Sequence, residues 1–277
     1  MRAEAVAAAV REAVSEAGTR LRADVRAALE AAAQAESDAR ARRILGQLLE
    51  NDEIARADRV PLCQDTGTVW VSIALGQEER VEGDLLSTVD AAVAEVYAFA
   101  GFRASTVEDA LCDRANRGDN TPAFVDVSFR SGTGATVTVM LKGGGSDNAS
   151  AVWMLPPSAG SAGIADVVVE HVVTKAASAC PPLLVGVGVG GTFDSVARLS
   201  KKALLRQVGR PGEGCAADLE REVLRRVNES GVGPAGLGGD TTALAVHVET
   251  APCHIASLPV AVNMGCCAIR SATVEIG

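Results

Sequence analysis

Aromatic side chains are nearly missing from this chain: Phe, Trp and Tyr make up 3% of 277 residues, with a single tyrosine. At 48% hydrophobic, a sizeable core is still within reach, but it has to be built from aliphatic residues. Histidine is almost as scarce, with residues at 171, 247 and 254 only, so a site of several imidazoles would consume nearly all of them. No run of Lys and Arg is interleaved with aromatics, and the net charge is −9 with a pI near 5.0. That removes the electrostatic footprint of a nucleic-acid binder. Every long apolar stretch is broken by charge or glycine within about 18 residues, which excludes a membrane-spanning helix. The N-terminal stretch MRAEAVAAAVREAVSEAG carries charges throughout and lacks the apolar centre of a signal peptide, so a cytoplasmic globular protein is expected.

What the chain does have is thiols and acids. Seven cysteines lie at positions 63, 112, 180, 215, 253, 266 and 267, and the odd count leaves one unpaired in any all-disulfide scheme. In a cytosolic chain they point to buried thiols, metal ligation or catalysis rather than a disulfide framework. Thiolates and carboxylates are left to carry most of the chemistry.

Residues 1–58 predict helix: alanine, glutamate and arginine dominate, no proline precedes Pro61, and Gly18 separates two periodic segments. From Val60 onward proline, glycine and β-branched residues become frequent. TVWVSIAL predicts a strand and LLSTVDAAVAEVYAFAGF an amphipathic helix packed on a sheet. AFVDVSFR and ATVTVMLK, separated by SGTG, predict a β-hairpin. IADVVVEHVVTKAASA predicts a helix stopped at CPP, which places Cys180 at a helix end, because proline disfavours helical geometry in the residue before it. LLVGVGVGG reads as a buried strand leading into a helix capped by Asp194; a further helix, ADLEREVLRRVNESG, precedes the strand-like TTALAVHVET and HIASLPVAVN. No internal repeat interrupts this order. The expected architecture is a single mixed α/β domain over 1–277, with 1–58 as a helical layer and the site at loops between strands and helices.

Five junctions stand out: CQDTG, KGGGSDN, ACPP, GVGVGGT and NMGCC. Loops held by rigid elements are where sites are usually built, and three of these five carry a cysteine. Cys63, Cys180 and Cys266 are too far apart in sequence to resemble a zinc ribbon or finger, so spacing alone leaves buried small hydrophobes as the competing explanation. Asp65 has the chemistry of a turn residue bonding its own backbone, and equally of a proton carrier. KGGGSDN is either an anion-binding nest of backbone N–H groups or a flexible hairpin exit; its lysine precedes the glycines, so it is not a P-loop. GVGVGG lacks the continuation of a dinucleotide fingerprint, and close strand packing explains it better.

The ordered set CQDTG, KGGGS, ACPP, GVGVGGTFDSVARLSKKALLR and HIASLPVAVNMGCC resembles that of class I, iron-sulfur-dependent fumarate hydratases, in particular the alpha subunit of the two-subunit form, with the L(+)-tartrate dehydratase alpha subunit as a close relative. The similarity runs from about Cys63 to the C-terminus. It implies a hydro-lyase interconverting (S)-malate and fumarate, a step of the tricarboxylic acid cycle, with a 4Fe-4S cluster held by Cys63, Cys180 and Cys266. Three thiolates leave one iron open to substrate, which suits catalysis rather than electron storage. Carried over by position, Asp65 belongs to the proton-transfer network and Gln64 contacts substrate. Arg103 falls on the arginine that grips a substrate carboxylate, a task for which a guanidinium fork is suited. Gly144 and Gly145 match substrate contacts, and His254 matches an active-site histidine that orients substrate or relays a proton. Cys112, Cys215 and Cys253 match no role and are expected to be structural thiols; Cys267, His171 and His247 likewise match none.

Single-chain relatives carry a second, C-terminal domain with a threonine base, further arginines and a lysine. This chain ends at Gly277, soon after the third cysteine. The resemblance therefore implies a beta-subunit partner, an active site completed at the interface, and a higher hetero-oligomer. KGGGS and the glycine pair of GVGGT lie nearer the fumarase branch than the tartrate branch. A competing expectation of another class is a non-enzymatic module with zinc held by Cys180, Cys253, His254 and Cys266.

Overall fold

The structure is a computed structural model that describes residues 1–277. The chain divides into two compact units, each built on a four-stranded mixed sheet. The mixed α/β class expected from the sequence is what the protein adopts.

The first unit comprises residues 1–22, 51–144 and 268–277. Its sheet runs in the order β2 (Phe124–Arg130), β1 (Thr68–Gly76), β3 (Ala135–Lys142), β8 (Arg270–Ile276). Helix α1 (Ala3–Thr19) packs on it over β3 and β8, and α4 (Leu85–Phe99) packs against α1. Val6, Val10 and Val14 recur at one-turn spacing on α1 and are buried with Val89, Val93 and Val96 of α4 over Val69, Val71 and Ile73 of β1. Gly18 does not end α1. Its missing side chain is where the Phe102 ring sits, since a Cβ there would lie 2.2 Å from Phe102 Cζ.

The expected hairpin of β2 and β3 does not form. β1 lies between them, parallel to β2 and antiparallel to β3. β1 is almost wholly buried and takes the central place, whereas β2 is largely exposed and suits an edge. The connection through residues 131–134 passes over the end of β1, where Gly76 N–H donates to Gly134 O and a Cβ on Gly76 would lie 2.5 Å from Gly132 O. The turn chemistry of SGTG is real, but it spans an inserted strand.

The second unit comprises residues 23–50 and 145–267. Its sheet runs β4 (Ala151–Leu155), β7 (Leu258–Gly265), β5 (Leu183–Gly191), β6 (Ala243–Cys253). β5 is parallel to β6 and antiparallel to β7. Its helices are α2 (Ala23–Ala35), much of α3 (Ala39–Asp58), the short α5 (Gly144–Asn148), α6 (Gly160–Lys175), α7 (Phe193–Ala203) and α8 (Gly214–Glu229). Residues 1–58 are thus helical as expected, in three helices distributed between the units.

The glycines of GVGVGG serve α7. A Cβ on Gly186 would meet Ser200 O at 2.2 Å and one on Gly188 would meet Val196 O at 2.4 Å. The cap of α7 is Thr192, in a reciprocal capping box with Ser195, and not Asp194; the Asp194 carboxylate instead accepts from the Thr192 hydroxyl at 2.6 Å. No helix is long and apolar enough to cross a membrane.

Candidate active site

In the first unit the loop from Val60 to Gly67 leads from α3 into β1, and it is fixed from several sides. Leu62 N–H donates to Gly18 O at 2.9 Å, and Asn51 Nδ2 donates to Leu62 O at 2.8 Å, which sets the residue before Cys63. Arg270 Nη2 donates to Asp65 O at 2.8 Å and to Thr66 O at 3.3 Å. The Tyr97 hydroxyl and Asn120 Nδ2 both donate to Gly67 O, at 2.9 and 3.1 Å. Gly67 has φ +84°, and a Cβ there would lie 2.3 Å from Lys142 O, so only glycine fits.

This framework sorts the side chains. Leu62 and Thr66 are buried, Cys63 and Asp65 half-buried, and Gln64 exposed. Asp65 Oδ2 accepts from Gly144 N–H at 2.8 Å. A Cβ on Gly143 would lie 3.2 Å from that oxygen, so the consecutive glycines of KGGGS let the backbone close on the carboxylate. Of the glycine run, the Gly144 N–H donates to the Asp65 carboxylate. Arg103 N–H donates to Thr66 Oγ1 at 3.3 Å, which sets Arg103 beside the loop with its side chain exposed. Cys63, Gln64, Asp65, Arg103 and Gly144 are therefore brought together.

Three residues that sequence reasoning passed over build this arrangement: Tyr97, Asn120 and Arg270. Burial pushes the Tyr97 hydroxyl well above the usual phenol range; Arg270 opposes that shift and Asp65 adds to it. Asn120 is fully buried with φ +60°, and its Oδ1 accepts from Ser105 N–H at 2.7 Å. Tyr97 had one available signal, being the only tyrosine in the chain.

In the second unit Cys180 follows a 3-10 turn (Ala176–Ala179) in left-handed geometry, φ 57° and ψ 72°, and is exposed. Cys267 N–H donates to Cys180 O at 2.9 Å, which joins the NMGCC loop to the residues leading into β5. Cys266 is half-buried beside it in sequence. Gly145 packs against the same turn, since its Cβ would lie 3.2 Å from Ser178 O.

His254 is elsewhere. It lies in the turn between β6 and β7, where Ala256 N–H donates to its Nδ1 at 3.1 Å. Cys253 is opposite Gly191 at one end of β5, while Gly265 is opposite Leu184 at the other. At about 3.3 Å per residue that separation is roughly 20 Å. Within one chain the structure does not bring His254 to Cys180 or Cys266. The same distance overturns the four-ligand zinc module, since zinc ligands sit about 2.0–2.3 Å from the metal. His254 instead lines a cavity of about 380 Å³ with Cys215, Cys253, Ile164, Leu219 and Val248.

None of the seven cysteines is buried and none is in a disulfide, so the small-hydrophobe explanation fails; Cys112, Cys215 and Cys253, expected as structural thiols, are exposed. His171 and His247 are structural: their ring nitrogens donate to Ala149 O at 2.8 Å and Ala203 O at 3.2 Å.

No group of three or more His, Cys, Asp or Glu side chains is gathered as a metal cage. Cys63 belongs to the first unit, Cys180 and Cys266 to the second. The donor chemistry nevertheless fits an iron-sulfur group: none of the three thiols is buried or in a disulfide, and buried Arg270 leaves Nε and Nη1 without partners behind the Cys63 loop.

The sequence profile of the family described as Fumarate hydratase (Fumerase) matches residues 7–275. A provisionally named L(+)-tartrate dehydratase subunit alpha of Methanocaldococcus jannaschii is 38% identical over 247 residues, 85% of this chain and 85% of that protein. The L(+)-tartrate dehydratase subunits alpha of Escherichia coli strains UTI89 and K12 are each 36% identical over 222 residues, 78% of this chain and 72% of those proteins. The chain belongs to the fumarate hydratase (Fumerase) family of hydro-lyases.

Proposed function

We propose that this protein is the alpha subunit of a cytoplasmic hydro-lyase that interconverts (S)-malate and fumarate plus water, with 1–277 acting as one functional domain. The observation that carries it is the Cys63–Gly67 loop, where the Asp65 carboxylate is seated on Gly144 N–H with Arg103 alongside. Relatives named as alpha subunits support a separate beta subunit that completes the site.

The reaction removes a weakly acidic proton from the carbon next to a carboxylate, and hydroxide from its neighbour. Cys63, Cys180 and Cys266 would hold a 4Fe-4S cluster, which would supply Lewis acidity for loss of the hydroxyl. Asp65 holds a proton within the transfer network, and its bond from Gly144 N–H fixes which carboxylate oxygen is available. The exposed Gln64 amide donates to substrate, and the Arg103 fork clamps a carboxylate. Gly144 acts through Asp65, while Gly145 shapes the approach to the Cys180 turn. His254 stays outside this set.

A second reading, L(+)-tartrate dehydration, is favoured by the names of the relatives. The test is the complex with its beta subunit, loaded anaerobically and assayed on (S)-malate, fumarate and L(+)-tartrate. A kcat/KM for malate at least tenfold above that for tartrate supports the proposal; the reverse ratio selects tartrate, and a colourless protein active on neither rejects both.

A further inference from the structure

We infer that Arg270 is a positioning residue for the Cys63–Gly67 loop: one guanidinium nitrogen fixes the loop backbone, and its two other buried donors supply positive charge to an anion bound there. This deepens the function proposed above and rests on it.

Arg270 opens β8, is 1% exposed and heads the fully buried side chains by size. It lies opposite Leu141 near the end of β3, which lies opposite Val69 near the start of β1, so its side chain reaches past both to the loop. There Nη2 donates to Asp65 O and Thr66 O, while Nε and Nη1 are buried without a hydrogen-bond partner. A guanidinium cannot shed its proton, and a buried charge that is incompletely paired is less favourable than an apolar chain of the same length. No carboxylate is paired with it: its contact to Asp65 is to the backbone carbonyl, while the Asp65 carboxylate accepts from Gly144 N–H. A structural brace for two carbonyls needs only one nitrogen and no permanent charge. A cation with two donors in reserve suits an anion at the same loop, and the planar fork lets one nitrogen face the carbonyls while the others face elsewhere.

Two anions have the required chemistry: the thiolate-held iron-sulfur group and a carboxylate of the dicarboxylate substrate. The variants are Arg270→Met, an apolar chain of similar length, and Arg270→Lys, made in the full chain and in its complex with the beta subunit. Three quantities are read: thermal unfolding of the metal-free chain, iron and sulfide per chain after anaerobic reconstitution, and KM against kcat for the complex. The expectation is that metal-free Arg270→Met unfolds no lower than the parent. Either its iron affinity falls about 10- to 100-fold, which identifies the cluster, or iron is normal and KM rises by that factor, which identifies the substrate carboxylate. Arg270→Lys recovers to within about threefold, because the charge is kept.

If Arg270→Met loads iron and turns over within threefold of the parent, the inference is wrong and the proposed function stands. If metal-free Arg270→Met is destabilised and Arg270→Lys recovers nothing, Arg270 is a brace only. Should Arg270→Met fail to fold, Arg270→Lys decides alone: iron and KM within threefold of the parent uphold the role of charge, and a tenfold loss in either overturns it. A parent chain that takes up no iron rejects the proposed function itself.

Discussion

The two sheets solve one problem in the same way and finish it differently. In the first unit the loop carrying Cys63 enters β1, and Thr68 at its start lies opposite Lys142, the last residue of antiparallel β3. In the second, Cys180 precedes β5, and Leu184 lies opposite Gly265, the last residue of antiparallel β7. Each unit therefore sets a loop entering a buried strand against a loop leaving its antiparallel neighbour, and each such pair carries motif residues. The first junction is locked by side chains reaching in from α4, β8 and the segment around Asn120. The second is joined by the backbone bond between Cys267 and Cys180, with both of its motif cysteines at least partly accessible. Polar groups that position substrate and move protons gain from rigid support, whereas thiols that bind metal must remain reachable.

The largest expected effect removes the thiols. Serine at Cys63, Cys180 or Cys266 is expected to take iron from roughly four per chain to near zero and to abolish turnover. Unfolding of the metal-free chain should shift by less than about 1 kcal/mol, since the three positions are exposed or half-buried. Iron analysis beside a melting curve checks both, and normal iron content in any one variant removes that cysteine from the set. Next is Asp65→Asn, in which the amide oxygen can still accept from Gly144 N–H while the proton carrier is lost. A fall of about 10²- to 10⁴-fold in kcat with unchanged iron is expected; a change within threefold would make Asp65 a turn residue only.

Rigidity itself is tested by glycine. Gly67→Ala places a Cβ 2.3 Å from Lys142 O at φ +84°, and about 2–4 kcal/mol of destabilisation is expected in a denaturant titration. Gly188→Ala in the second unit meets Val196 O at 2.4 Å, so α7 must move away from β5. If the first junction is the preorganised one, Gly67→Ala lowers kcat beyond its loss of stability, while Gly188→Ala lowers stability with kcat retained in the folded fraction.

Much of this was legible in the chain itself. Periodicity revealed the helices and alternation revealed β3, while β1, β6 and β7 were legible as apolar, β-branched runs, since strands buried on both faces lose the alternation. The partner of each strand was not legible: SGTG between two alternating runs has every local property of a hairpin, and only the burial of β1 decides that it is inserted between them. CQDTG and KGGGS could be picked out because glycine, proline and reactive side chains seldom concentrate without a reason. Their union through Asp65 and Gly144 is a tertiary fact; of the supports, Tyr97 stood out only as the single tyrosine, and Asn120 and Arg270 carry no local signature. His254 shows the converse, since nearness in sequence to Cys266 becomes distance once a strand of eight residues intervenes.

The smallest expected effect lies at the start of α7, beyond the end of β5 remote from Cys180, and it marks how far the comparison extends. Thr192 caps the helix with Ser195, and its hydroxyl holds the Asp194 carboxyl below the usual aspartate range. A carboxyl depressed in the folded state adds stability above its ordinary pKa and loses that contribution as pH falls through the depressed value. Thr192→Ala is expected to cost about 1 kcal/mol at neutral pH through the lost cap. It should also return Asp194 toward the ordinary value, so that stability of the variant depends less on pH in the acid range than stability of the parent. Iron content and kcat should be unchanged, because this end of β5 carries none of the proposed ligands; a loss of iron in Thr192→Ala would show that the two ends of the second sheet are coupled.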